Sequence, residues 1–201
     1  MRHLPTLIVT AGPSAPTTGS PMDCLHPLVS TLTRLLACDL PIVLVGDDTV
    51  RDATRHLLPD KDILTLRYRS RHPADQQVEA LVEGLLARSQ APSWLLIPGL
   101  LPRLEVSTVL AVASALTRYP LAYAEHRQQR GVPLGFASEL FSELIQLNSH
   151  RDLERFKSRY PACSVEVDDP GVLMDPTSLM SPMRTPHHTA EPHAGIHNDR
   201  H

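Results

Sequence analysis

The chain has 201 residues, of which 42% are hydrophobic and only 4% aromatic, so a single domain with an aliphatic core is expected. The formal net charge of −3 gives no electrostatic basis for binding nucleic acid or an anionic membrane surface, and no apolar stretch approaches the roughly 20 residues of a membrane span. Three widely spaced cysteines, Cys24, Cys38 and Cys163, form no CxxC pair and are typical of reduced thiols in a cytoplasmic protein.

The first 120 residues alternate short apolar runs with stretches of helical periodicity. Because continuous apolar runs are typical of strands buried on both faces, strands are predicted over 4–10, 41–45, 62–68 and 94–97. Because leucine and valine recur there at helical spacing, helices are predicted over 25–38, 49–58, 74–89 and 106–117. Asp48 is predicted to cap the second of these helices.

The pattern changes after residue 120. Two strands, 121–126 and 132–136, are predicted on either side of a polar connection over 127–130. Helices over 138–147 and 151–159 and a last strand over 163–167 follow. Strand–helix alternation followed by a mixed segment predicts a three-layer α/β/α sandwich whose sheet is mostly parallel, with one antiparallel insertion.

The loop after the first strand is a candidate binding site. Residues 11–20 read Ala-Gly-Pro-Ser-Ala-Pro-Thr-Thr-Gly-Ser, and the loop after the first strand of an α/β sheet is where nucleotide phosphates commonly bind. Such a loop normally also supplies positive charge, yet no Lys or Arg lies between Arg2 and Arg34. The pattern alone therefore leaves two interpretations open, a backbone cradle for a ligand and an ordinary strand-to-helix turn.

A basic cluster closes the third predicted strand. Its members are Arg67, Arg69, Arg71 and His72. They could form a patch for an anionic substrate that partly replaces the absent loop charges, or they could be the solvated end of a strand.

Four short stretches match the motifs of a known family. Residues 165–175 read Val-Glu-Val-Asp-Asp-Pro-Gly-Val-Leu-Met-Asp, residues 131–136 read Gly-Val-Pro-Leu-Gly-Phe, residues 9–12 read Val-Thr-Ala-Gly, and residues 98–102 read Pro-Gly-Leu-Leu-Pro. On these stretches the chain resembles, over about residues 4–180, the MobA-like nucleotidyltransferases of molybdenum-cofactor maturation, especially the branch that couples CTP to molybdopterin.

The resemblance implies a Rossmann-like fold of the nucleotide-diphospho-sugar transferase type. It implies transfer of CMP or GMP from CTP or GTP to molybdopterin with Mg²⁺ and release of pyrophosphate. The nucleotide would be bound by residues of the first loop, namely Ala11, Gly12, Pro13, Ser14 and Gly19. Asp175 would be a metal ligand, whereas Asp168 and Asp169 are interpreted as turn residues.

The chain departs from the family where the family binds charge. Pro16 or Thr17 and Met22 stand where an Arg and a Lys are expected, and Leu100 stands where a GDxP loop places its metal-binding Asp. Two unit charges about 4 Å apart interact by roughly 4 kcal/mol at an effective dielectric near 20, so these losses predict little ordinary activity. The alternative is a non-catalytic protein that binds pterin or nucleotide, or that assists molybdoenzyme maturation.

The end of the chain differs from the rest in composition. Residues 1–180 are assigned to the nucleotidyltransferase domain, and residues 181–201, rich in His and Pro, are predicted to be a disordered tail. Whether the histidines of this tail bind a metal is left open.

Overall fold

A computed structural model of the chain describes residues 4–12 and 21–173, with side chains in the first helix described from Leu25 onward. The strands are β1 (Thr6–Thr10), β2 (Ile42–Gly46), β3 (Ile63–Thr65), β4 (Ser93–Pro98), β5 (Leu121–His126), β6 (Gln129–Ala137) and β7 (Ala162–Glu166). The α-helices are α1 (Pro21–Leu36), α2 (Asp48–Thr54), α3 (Pro73–Ala87), α4 (Val106–Ala115), α5 (Phe141–Leu144) and α6 (His150–Lys157).

The strands form one seven-stranded sheet in the order β3-β2-β1-β4-β6-β5-β7. Strand β6 is antiparallel to both of its neighbours, and the other pairings within the described residues are parallel. Strand β1 lies at the centre of the parallel part, where Ile8 pairs with Val43 on one side and Leu96 on the other. The predicted mostly parallel sandwich with one antiparallel insertion is therefore confirmed.

Two apolar layers cover the sheet. Leu7 and Val9 face the layer that contains α1, α2 and α4, whereas Ile8 faces the layer that contains α3, α5 and α6. All three side chains are fully buried, and burial of each stabilises the fold by roughly 1.5–3 kcal/mol relative to exposure. The continuous apolar run in β1 thus reflects burial on both faces, as in parallel sheets generally.

Two local predictions are wrong. The connection between β5 and β6 is not the polar stretch 127–130 but a two-residue turn, in which Arg127 and Gln128 have φ values of 49° and 65°. The two positions of such a turn need positive φ, which Asn and Gly adopt most readily. The sequence Arg-Gln therefore gives no indication of the turn. The residue that caps α2 is Asp47, whose side chain accepts a hydrogen bond from the Val50 amide at 2.9 Å, rather than Asp48.

Among the described helices, none has the length and apolar character that crossing a bilayer requires.

Candidate functional site

The carboxyl ends of the four parallel strands β1 to β4 meet at one edge of the sheet, which we call the carboxyl edge (residues 10–12, 46–48, 66–72 and 98–101). The Ala11 amide donates to the Val45 carbonyl at 2.9 Å, and the Gly99 amide donates to the Thr10 carbonyl at 2.8 Å. These bonds extend the sheet by one residue beyond β1 and fix where its loop begins. Ligands of open α/β sheets bind outside this edge.

Ala11 and Gly12 are the members of the predicted nucleotide-binding set that the structure describes; Pro13, Ser14 and Gly19 lie outside the described residues, as does the predicted metal ligand Asp175. A Cβ atom added at Gly12 would meet no described atom within 4 Å, and the φ of Gly12 is not positive. Neither packing against the described residues nor backbone conformation therefore requires glycine at this position.

Tyr68 ties the entrance of the first loop to the loop that follows β3. Its hydroxyl donates to the Ala11 carbonyl at 2.6 Å, across 57 residues of chain. Burial raises the pKa of Tyr68 above its usual range, and the negative charges of Asp47 and Glu79 raise it further, so the hydroxyl remains a donor. No sequence pattern indicates this contact, because Tyr68 lies within a cluster that is distinguished only by its charge.

The loop after β3, residues 66–72, is the β3 loop, and its backbone is held from inside the protein. The buried Glu79 carboxylate accepts hydrogen bonds from the Arg69 and Ser70 amides, each at 2.8 Å. The Gln76 amide group donates to the Ser70 carbonyl at 2.9 Å and is also buried. Sequence reasoning missed both α3 side chains, since polar residues on a helix are usually exposed.

A cleft of about 420 Å³ opens beside this loop, and we call it the β3 cleft. Its lining comes from the ends of β2 and β3 and the start of α3: Asp47, Asp48, Leu66, Arg67, Tyr68, Ser70, Arg71 and Gln76. Of the predicted basic cluster, Arg67 and Arg71 line the cleft, whereas the Arg69 guanidinium lies 3.8 Å from the Glu79 carboxylate. His72 instead occupies the N-cap position of α3.

The loop after β4 is held by the Thr31 hydroxyl and by apolar packing. The Leu101 amide donates to the Thr31 hydroxyl at 3.0 Å, and that hydroxyl donates to the Pro27 carbonyl at 2.9 Å. Leu100 is half-buried and packs against the core. Within residues 4–12 and 21–173, no group of three or more His, Cys, Asp or Glu side chains is arranged to hold a metal ion.

Part of the longest family motif, residues 169–171, joins two distant segments of the chain. The Asp169 carboxylate, 2% exposed, accepts hydrogen bonds from the Glu105 amide at 2.9 Å, the Thr108 hydroxyl at 2.9 Å and the Gly171 amide at 2.8 Å. A Cβ atom at Gly171 would lie 2.7 Å from the Arg103 carbonyl. Residues 169–171 therefore connect the chain after β7 to the start of α4. The bond from the Gly171 amide fits the interpretation of Asp169 as a turn residue, whereas the bonds from Glu105 and Thr108 are long-range.

The sheet order and the ligand-accessible carboxyl edge together define the class of protein: a Rossmann-like fold of the nucleotide-diphospho-sugar transferase type. The chain matches the model of the MobA-like NTP transferase domain over residues 24–163, and it belongs to that family. Its function is therefore nucleotidyltransferase-like.

Solved structures show the same fold. Rv0371c from Mycobacterium tuberculosis H37Rv superposes with a TM-score of 0.66 at 19% identity, covering 82% of this chain and 88% of that one. A complex of Rv0371C with manganese superposes with a TM-score of 0.61 at 18% identity, with coverages of 82% and 88%. The 4-diphosphocytidyl-2C-methyl-D-erythritol synthase of Anaerococcus prevotii gives 0.62 at 15% identity, with coverages of 88% and 92%. No curated protein sequence matches the chain.

Proposed function

We propose that the protein is a nucleotidyltransferase-like protein of molybdenum-cofactor maturation that binds CTP or GTP at the carboxyl edge. Its reaction would be the transfer of CMP or GMP to molybdopterin, with little or no activity remaining. Membership of the MobA-like family supports nucleotide binding, and the resemblance of the motifs supports the molybdopterin branch. The free thiols of Cys38 and Cys163 favour the cytoplasm as its location.

The observation that carries the proposal is that no described residue explains the glycine at position 12. Glycine is required where a backbone, a side chain or a ligand comes too close for a Cβ atom. Among the described residues nothing comes within 4 Å of that position, so a ligand that contacts the Gly12 backbone would explain the glycine. We assign the rest of the cradle to Ala11, Pro13, Ser14 and Gly19.

The described residues do not fit a divalent-metal site built by the protein alone. Leu100 stands in the β4 loop where the resemblance places a carboxylate, and its side chain has no oxygen to offer. Mg²⁺ is commonly held by one or two carboxylates together with substrate phosphates. We therefore assign Asp175 as the carboxylate that would contact Mg²⁺ arriving with a nucleotide.

The chemistry expected of the first loop is positioning with little charge neutralisation. Nucleotidyl transfer proceeds when cations offset the charge that develops on the phosphates. The first loop contributes no cation, because Arg2 and Arg34 are the nearest Lys or Arg residues on either side. Each factor of ten in rate corresponds to about 1.4 kcal/mol of barrier, so the absence of several cationic groups would slow transfer by orders of magnitude.

Leu100 also favours a second function, that of a non-catalytic binding protein. The loop that carries Leu100 is held by the Thr31 hydroxyl and packs on the core. An apolar side chain in such an ordered loop suits retention of a pterin or nucleotide better than metal-assisted transfer. Such a protein would present its ligand to a molybdoenzyme or to a maturation factor.

One assay separates these functions. The purified chain is incubated with CTP or GTP, Mg²⁺ and molybdopterin, and pyrophosphate release is followed while CTP binding is titrated in parallel. Turnover near the usual enzymatic range of about 1–1,000 per second would support an ordinary enzyme and contradict the loss of activity. CTP binding is the expected result: slow turnover beside it would indicate the transferase, no turnover would indicate the binding protein, and absence of both binding and turnover would overturn the proposal.

The Gly12→Val variant tests the position of the nucleotide. Because a side chain at Gly12 meets no described atom, the variant should fold normally yet lose CTP affinity by about tenfold or more. Ala37→Val, at an exposed position just after α1, is the matched control and should bind CTP as the wild type does. Equal CTP affinities for the two variants would remove the support that Gly12 gives.

A further inference from the structure

We propose that the β3 cleft binds the phosphate groups of the ligand through Arg67 and Arg71, so that anion recognition has moved from the first loop to the β3 loop. The inference deepens the proposed function and rests on it, since it concerns the same carboxyl edge. The ligand class is a phosphorylated small molecule, and the cleft volume of about 420 Å³ lies within the usual range for small-molecule sites.

The two guanidinium groups are available for a ligand. Within the described residues, neither Arg67 nor Arg71 has an ion-pair partner, whereas Arg69 between them is paired with Glu79. Both unpaired side chains are exposed and line the cleft. A solvated strand end would not explain why the two unpaired arginines share a concave surface while the paired one does not line it.

The backbone that carries these arginines is fixed before any ligand arrives. On one side of Arg67 the Leu66 amide donates to the Gly46 carbonyl at 2.7 Å, and on the other side the Tyr68 hydroxyl is bonded to Ala11. Beside Arg71, the His72 amide donates to the Ser70 hydroxyl at 3.1 Å. Because the backbone is already ordered, a ligand has to order only the two side chains, and the conformational entropy lost on binding is smaller.

The lining of the cleft also carries negative charge. Asp47 and Asp48 come from the end of β2 and the start of α2, and the Asp47 carboxylate caps that helix. The exposed Asp48 carboxylate repels an anion, so the phosphate end of a ligand is expected beside the two arginines. Asp48 would then accept hydrogen bonds from hydroxyl or amino groups, which nucleotides and phosphorylated pterins both offer.

The test measures pyrophosphate and CTP binding to the full chain by calorimetry, at low and at physiological salt. The cleft variant is Arg67→Gln with Arg71→Gln. Its control is Arg34→Gln with Arg118→Gln, which makes the same change of net charge at exposed positions near the ends of α1 and α4, away from the carboxyl edge. Thermal unfolding of both variants checks that the fold is retained.

The cleft variant should bind pyrophosphate about 100-fold more weakly than the wild type, roughly tenfold for each guanidinium group removed, while the control changes by less than about threefold. Competition between CTP and pyrophosphate would identify the nucleotide as the source of the phosphate. Pyrophosphate binding that CTP does not displace would identify the acceptor instead, and both results support the cleft.

Equal pyrophosphate affinities for the cleft variant and its control would overturn the inference, as would a wild type that binds no pyrophosphate. If the wild type binds CTP and the cleft variant loses neither pyrophosphate nor CTP affinity, the inference fails and the proposed function stands. If pyrophosphate binding is lost only in the cleft variant but the wild type neither binds CTP nor turns it over, the cleft stands as an anion site and the proposed function fails.

Discussion

Replacing Asp169 tests whether the longest family motif is structural. The Asp169→Ala change removes the acceptor of three hydrogen bonds, which come from the Glu105 amide, the Thr108 hydroxyl and the Gly171 amide. A hydrogen bond to a charged group contributes about 1.5–3 kcal/mol, and partial access of water to the freed donors reduces the loss. We expect the free energy of unfolding to fall by about 3–5 kcal/mol, a large part of the roughly 5–15 kcal/mol typical of domains.

The Asp169→Asn variant refines the prediction. One amide oxygen can still accept from the Glu105 amide and the Thr108 hydroxyl, which share a single carboxylate oxygen in the wild type. The new NH₂ group would then face the Gly171 amide, which is itself a donor. Asn should therefore cost less than Ala, about 1–3 kcal/mol.

Equilibrium unfolding in urea, extrapolated linearly to water, provides the measurement. Asp168→Ala is the matched control, because Asp168 is the neighbouring exposed carboxylate, and surface changes of this kind usually stay within about 0.5 kcal/mol. If the free energy of unfolding of Asp169→Ala lies within about 0.5 kcal/mol of that control, the Asp169 hydrogen bonds do not stabilise the start of α4 as argued.

Three further predictions concern the carboxyl edge. Because burial and the charges of Asp47 and Glu79 raise the pKa of Tyr68 above its ordinary value near 10, wild-type stability should fall as the pH rises above about 10, and in Tyr68→Phe this fall should be shallower in urea unfolding at high pH. Asp48→Asn removes a carboxylate from the cleft wall, so pyrophosphate should bind about threefold or more tightly at low salt by calorimetry, while Asn at the exposed Asp52 should change little. Leu100→Asp should raise Mn²⁺ affinity in the presence of CTP by about tenfold or more, measured by Mn²⁺ titration, and an equal gain in Leu110→Asp, on the exposed face of α4, would contradict the assignment of this loop.

The fold could be predicted because buried positions are occupied by apolar residues in a simple, regular pattern. Runs such as 41–45 and 94–97 are apolar without interruption, since both faces of a central parallel strand are covered. The predicted strand over 121–126 coincides with β5. The start of β6 was missed because its turn uses Arg127 and Gln128 at positive φ, where sequence rules look for Asn or Gly.

The candidate site could be predicted only in part. The charge of Arg67 and Arg71 is visible in the sequence, and the structure places both in one cleft. The residues that hold their loop are Tyr68, through one hydrogen bond to distant backbone, and Glu79, through two hydrogen bonds to irregular backbone. Such contacts follow no helical or strand period, so no pattern in the sequence could have indicated them.

The same structure explains why the chain keeps the motifs that shape the family's fold but not the residues that would bind charge. The motif residues Asp169, Gly171 and Gly131 are fixed by contacts within the protein: the first accepts three internal hydrogen bonds, and a Cβ at either glycine would collide with backbone. Such residues are required by the fold whether or not the protein transfers a nucleotide. Leu100 and the uncharged first loop, by contrast, stand at positions where the resemblance to the family predicts ligand or metal contacts. Residues of the first kind establish the scaffold, so activity has to be decided by residues of the second kind, at the carboxyl edge.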